Sequence, residues 1–244
     1  MSVVDEPLSR RSRPAKAPLS RQWIIDATAA IMRREGLHKA TMRRVAQELD
    51  TGPASLYVYF ANVAALHAAV IDELVGQLEP SLPTGARAAA KALVTAYRDL
   101  LADQAGLARS ALVVRPDGPN LLALYDRLVG LLLEAGATTG SAAWGADVLL
   151  QTATATAAEH ARPEPTDIDA ATDRTEQQSV LELAVRNADP ARYQHLAALA
   201  DAVLGGPPER RWEWVLDMQI AGLTAVPAPV RPTAEHQTNQ ESTP

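Results

Sequence analysis

The chain has no cysteine. That excludes a disulfide framework and any thiolate metal site, and it fits a reducing compartment, so a cytoplasmic location is expected. Aromatic residues are few, with a single phenylalanine, and lysine is scarcer still: Lys16, Lys39 and Lys91 stand among 23 basic residues, so arginine carries nearly all the positive charge. No apolar run approaches the roughly 20 residues that a membrane-spanning helix needs. The polar, Pro-rich N-terminus is not a signal peptide, and no membrane partner is expected. No stretch alternates as a strand does. GxSxG, Walker, HExxH and Rossmann motifs are absent. His38, His67, His160, His195 and His236 are scattered without ligand spacing. Adjacent residues such as Glu159 and His160 diverge by about 100° on a helix and rarely chelate together. No catalysis, no cofactor and no metal are therefore expected.

What the chain does have is an uneven charge. Over 244 residues the net charge is −6, yet residues 1–60 hold ten Lys/Arg against six Asp/Glu, while the remainder holds thirteen against twenty-three. A basic head on an acidic body implies that only the head meets phosphate. Residues 1–18 mix Pro7, Pro14 and Pro18 with Arg10, Arg11, Arg13 and Lys16 and show no periodicity. They read as a disordered basic arm, serving either solubility or contact with the DNA backbone or minor groove.

The head proper, residues 19–65, begins with Ser20 as a helix cap, followed by a buried stripe of Ile24, Ala27 and Ile31 and a stop at Gly36. Thr41 can cap the next helix, in which Val45, Ala46 and Leu49 share one face. The Asp50-Thr51-Gly52 segment breaks it, since Asp and Gly both tolerate left-handed backbone angles. Pro53 suits the first position of a further helix running to Phe60, buried through Leu56 and Phe60. That pair leaves Ala54 and Val58 outward, flanked by Ser55 and Tyr57, a face suited to a DNA major groove. An ordinary helical hairpin on the rim of an all-α protein has the same spacing. Asn62 then caps a fourth helix striped by Leu66, Val70, Leu74 and Leu78.

The body, residues 66–226, reads as helical throughout, with helices expected near Thr84–Gln104, Leu107–Val114, Asn120–Ala135, Ser141–Ala161, Thr175–Asn187, Pro190–Leu204 and Pro207–Ala225. A Pro-rich acidic loop is expected at 162–174, and a disordered tail at 227–244. The fold class is thus all-α: a three-helix helix-turn-helix head and a larger helical bundle.

The head resembles the DNA-binding domain of the tetracycline-repressor (TetR) family of bacterial transcription regulators. The resemblance rests on a capped helix ending at Gly36, then Thr41, Arg43, Val45-Ala46 and Leu49, then Leu56-Tyr57 and Phe60, then Asn62 and Leu66. It covers about residues 19–75. The segment from Arg211-Trp212-Glu213-Trp214 to Gly222-Leu223 is similar to the last helix of the family's tetracycline-repressor-type effector domains. Carried over position by position, the resemblance implies that Arg43 reads bases; Arg44 beside it is a further DNA-binding candidate. It implies that Ala54, Ser55 and Tyr57 face the bases and that Thr41 and Tyr59 touch phosphate. Three positions depart from the pattern: Asp50 for the usual turn glycine, Gly52 for the usual capping side chain, and Val63 for a lysine that commonly meets the backbone.

In the body, Tyr97, Tyr125, Trp144, Gln151 and Thr152 suit a mostly apolar small-molecule pocket with a few polar anchors, though each alone could be a core or surface residue. The resemblance implies such a pocket between the middle helices. Ala153, Ala157 and Ala161 recur every four residues, and Trp212, Leu216, Ile220 and Leu223 stripe the last helix. Both stripes suit either a four-helix bundle across a two-fold axis or packing within one subunit. The expected protein is a homodimeric repressor, released from a palindromic double-stranded operator by a small, mostly apolar effector. The alternative is a TetR-like module that binds small molecules or proteins and has weak or lost DNA binding.

Overall fold

A computed structural model describes residues 18–103, 106–114, 116–161 and 179–229. The expected basic arm up to residue 17, the acidic loop at 162–174 and the tail from 230 lie outside the described residues. Helices α1 (Arg21–Glu35), α2 (Met42–Glu48) and α3 (Pro53–Leu56) make the head, with a 3₁₀ turn at Leu37–Lys39. The body follows as α4 (Val63–Gly76), α5 (Ala86–Asp103), α6 (Leu107–Val113), α7 (Pro119–Glu134) and α8 (Thr139–His160). Helical residues 179–186 (α9), two short helices α10 (Gln194–Ala198) and α11 (Ala200–Leu204), and α12 (Pro208–Ala225) complete it.

The helix starts follow local chemistry. Ser20 Oγ, Thr41 Oγ1, Asn62 Oδ1 and Thr138 Oγ1 each accept a backbone N–H of the opening turn of α1, α2, α4 and α8. Asp50 adopts φ 49°, the only positive φ outside glycine among the described residues. It turns the chain between α2 and α3 as its tolerance of left-handed angles allows.

The expected recognition helix to Phe60 is shorter. It is α-helical over Pro53–Leu56 and continues as turns whose Tyr59 and Phe60 N–H groups both reach the Leu56 carbonyl. Gly52 offers no side chain to cap it, and Pro53 donates no N–H. The single helix expected over Pro190–Leu204 is also two. The Asp189 carbonyl and carboxylate take the N–H groups of residues 191–193 into a turn, and the chain breaks again at Leu199.

One apolar core runs from Ile24 to Ile220. Within it α4 is shared: it packs on α1 on one side and on α7 on the other, so the expected boundary at 65/66 falls inside a continuous helix. Helix α8 lies against α5, α6, α7 and α12. It can do so because small residues cover most of its circumference. Gly145 faces Leu223, and a Cβ there would stand 2.6 Å from a Leu223 methyl.

This packing corrects the expected dimer face. Ala153, Ala157 and Ala161 of the α8 region and Trp212, Leu216 and Ile220 of α12 are buried within the single chain, and Leu223 packs against the same core. Trp212 is further fixed by its Nε1 donating to Thr95 Oγ1 at 2.9 Å, with the Arg98 guanidinium 4.6 Å above its ring. Both stripes are intrachain seams.

Candidate nucleic-acid interface and effector cavity

The head exposes Thr41, Arg43, Ala54, Tyr57 and Val58, with Ser55 half-buried, around the α2–α3 turn. Leu56 and Phe60 are buried beneath them, and Arg21 stacks 5.0 Å from the Phe60 ring. The Arg43 side chain is free of ion pairs among the described residues, so its guanidinium fork is open to solvent.

Arg44 is placed differently. Its Nη2 lies 2.7 Å from both Glu35 and Glu48, and Arg34 completes a four-charge cluster with the same two carboxylates. The cluster bolts the end of α1 to α2. Arg44 thus helps to hold the head together, whereas Arg43 is left without an ion pair among the described residues. Tyr59 is exposed, and its hydroxyl donates to the Leu19 carbonyl at 2.5 Å, tying the entry of α1 to the α3 turn.

Hydrogen bonds from Arg44, then from Arg34, outweigh desolvation and hold the Glu35 carboxyl down at about 2. A lowered carboxylate stabilises the fold above its ordinary value, and that contribution disappears as pH falls through the folded value. Glu35→Gln should therefore lower the melting temperature at neutral pH. The gap to wild type should close between about pH 4.5 and pH 2, read by circular dichroism. A constant gap over that window would separate the Glu35 effect from its ionisation.

At the start of α4, Val63 is 38% exposed, one residue past the Asn62 cap. Val63→Lys should add one phosphate contact per subunit. Each contact steepens the slope of log affinity against log salt by about −0.9, hence about −1.8 for the dimer proposed below, on specific and random DNA alike. A salt titration in which the slope stays put would show that this helix end faces away from phosphate.

The body holds a cavity of about 520 Å³ between α5, α6, α7 and α8, a size suited to small ligands. Of the five sequence candidates Tyr97, Tyr125 and Gln151 line it, together with Leu112, Pro116, Leu121, Asp147, Leu150 and Thr154. Tyr125 donates its hydroxyl to Asp147 at 2.9 Å, and the Gln151 amide donates to the same carboxylate. Tyr97 and Thr154 pair their hydroxyls at 3.4 Å, and burial pushes the Tyr97 phenol up. Trp144 and Thr152 do not line it. Trp144 is 53% exposed on the outer side of α8, and Thr152 Oγ1 accepts from Gln219 of α12 at 2.8 Å. Adjacent residues on a helix diverge by about 100°, so Gln151 and Thr152 serve opposite neighbours. The signal that finds the missed residues is the spacing Asp147, Leu150, Gln151, Thr154, one face of α8.

Two family models match the chain: bacterial regulatory proteins of the tetR family over residues 24–70, and the tetracyclin repressor-like C-terminal domain over residues 79–226. The chain belongs to the TetR family. It is accordingly a ligand-responsive, DNA-binding transcriptional regulator. It is similar to the transcription regulator SCO7704 from Streptomyces coelicolor at 44% identity and a TM-score of 0.73, covering 89% of this chain and all of that one. It is also similar to the TetR-family protein ActR of the same organism in complex with actinorhodin, at 29% identity and a TM-score of 0.73 over 88% and 99% of the two chains. A nicotine-responsive repressor, HdnoR of Paenarthrobacter nicotinovorans, is 38% identical over 63 residues, 26% of this chain and 32% of the relative. The chain thus spans about a third of that repressor's length.

Proposed function

We propose that this TetR-family protein is a homodimeric cytoplasmic repressor. Its cavity takes a small, mostly apolar effector with a few hydrogen-bonding groups, and the loaded dimer leaves a palindromic operator. It acts by binding, not by turnover. The observation that carries this reading is the placement of the cavity: its wall at Leu121 belongs to α7, which packs on α4, which in turn packs on α1 of the head. Actinorhodin in ActR and the nicotine response of HdnoR support a small-molecule effector.

Dimerisation is supported by the outer faces of α8 and α12. The Thr152–Gln219 hydrogen bond and the Gly145–Leu223 contact set these helices side by side and antiparallel. One step round from that seam, Trp144 and Val148 of α8 and Trp214 and Met218 of α12 are exposed. Gly222 of α12 leaves open space beside them. A two-fold axis here makes a four-helix bundle from α8 and α12 of both subunits. Two recognition elements would then meet successive major grooves roughly 34 Å apart.

The test is selection of a duplex from a random pool by the full-length protein, followed by a salt titration and challenge with candidate apolar ligands. A palindromic selected sequence, steep salt dependence and release by ligand are expected. Recovery of no enriched sequence would favour the alternative, a ligand- or protein-binding module that has lost its operator. The intrachain ties of Arg44 and Tyr59 and the valine at 63 favour that second reading.

A further inference from the structure

Helix α7 begins without a cap of its own. Its N-cap residue is Gly118 and its first residue is Pro119, which has no N–H to offer. The N–H of Leu121 instead donates to Asp72 Oδ1 at 2.8 Å, and Asn120 Nδ2 donates to Asp72 Oδ2 at 3.1 Å. The capping carboxylate therefore comes from α4. Asp72 is buried, and both of its oxygens are satisfied by the start of α7, where the helix dipole also favours a negative charge.

The fit tolerates no extra atom. A Cβ on Gly118 would stand 2.1 Å from Asp72 Cγ, although the Gly118 backbone at φ −76°, ψ 166° suits any residue. A Cβ on Gly76, at the end of α4, would stand 2.7 Å from Asn120 Cγ. One glycine from each side lets the clasp close. Leu121, whose N–H closes the clasp, and Pro116, on the other side of Gly118, line the cavity, so the clasp adjoins the cavity wall. On the same α4, His67 Nε2 donates to the Ala40 carbonyl at 2.9 Å, next to the Thr41 cap of α2. Helix α4 thus has one polar tie to the helix-turn-helix and one to the cavity wall.

We propose that Asp72 is the positioning residue that couples the cavity to the DNA-binding head, by capping α7 from α4. The proposal rests on the reading of the cavity as the effector site. An effector that presses on Leu121 and Pro116 must shift the start of α7. The clasp obliges α4 to follow, and His67 carries the shift to the turn before α2. With the clasp open, α7 moves without α4 and the head does not follow.

The test uses the full-length protein, Nile red as an uncharged apolar probe of the cavity, and a duplex selected from a random pool. The dissociation constant of the dye is measured by fluorescence with and without saturating duplex. The ratio of the two is the coupling, expected for wild type in the usual range of roughly 5–150-fold. Asp72→Ala and Gly118→Ala should each bring the ratio to about 1, while Asp72→Asn, which keeps an acceptor for the Leu121 N–H, retains most of it. Gly118→Ala leaves Asp72 in place and keeps the experiment decisive if Asp72→Ala does not fold, which circular dichroism reads directly. If Gly118→Ala couples as wild type does, the proposal is overturned. If wild type itself shows no coupling, or Gln151→Trp leaves dye binding untouched, the cavity reading fails first and takes this proposal with it.

Discussion

Trp214→Arg together with Met218→Arg gives a folded monomer with operator affinity reduced by roughly 10²–10⁴-fold, the advantage that joining two binding sites ordinarily confers. The two side chains are 62% and 50% exposed in the single chain, so their replacement disturbs little intrachain packing. Surface changes of this kind usually move stability by about 0.5 kcal/mol or less. In a paired bundle, however, the same positions would set like charges against each other across the two-fold axis. Light scattering reads the mass, and a gel-shift titration reads the affinity. Leu216→Arg with Ile220→Arg is the instructive contrast. These residues are buried in the chain's own core, so the double change should unfold the body rather than separate subunits. A dimeric Trp214/Met218 variant would move the interface off α8 and α12.

Arg43→Ala should weaken binding to the selected operator far more than binding to random DNA. An arginine fork on a guanine edge is worth about 1–3 kcal/mol of discrimination, hence about 2–6 kcal/mol over two half-sites acting independently. Arg43 can serve because it is exposed and unpaired by any acid among the described residues, whereas its neighbour Arg44 is held between Glu35 and Glu48. Arg44→Ala should accordingly act on the stability of the head, with equal loss on both DNAs. Equal losses for Arg43→Ala, measured in the same titration, would reduce that residue to a phosphate contact.

Local chemistry made the head legible before any coordinates. Ser20, Thr41 and Asn62 cap helices because a short oxygen-bearing side chain satisfies a nearby N–H. Asp50 takes the left-handed turn because few other side chains tolerate it. The apolar stripes at Ile24, Val45, Leu56 and Leu66 are buried as their spacing requires. Each of these is a relation between residues a few positions apart. Helical content and the presence of a large all-α body follow from the same short-range periodicity.

Residues far apart in sequence were decided by packing alone. The sequence shows that Trp212, Leu216 and Ile220 form an apolar stripe, but a stripe has no record of which surface covers it. Folding set α5 and α8 against it and left Trp214 and Met218 on the opposite face of α12 exposed. Periodicity likewise brought Tyr97, Tyr125 and Gln151 within reach of a pocket, while the angle of α8 sent Thr152 to α12 and brought Asp147 in its place. An arginine looks the same in sequence whether it points at DNA or at Glu35. The sequence by itself determined most of the helices, the caps at Ser20, Thr41 and Asn62, and the family. Which surface covers each stripe, and that Asp72 caps a helix 49 residues away, only the tertiary structure decided, because those contacts depend on where whole helices come to rest.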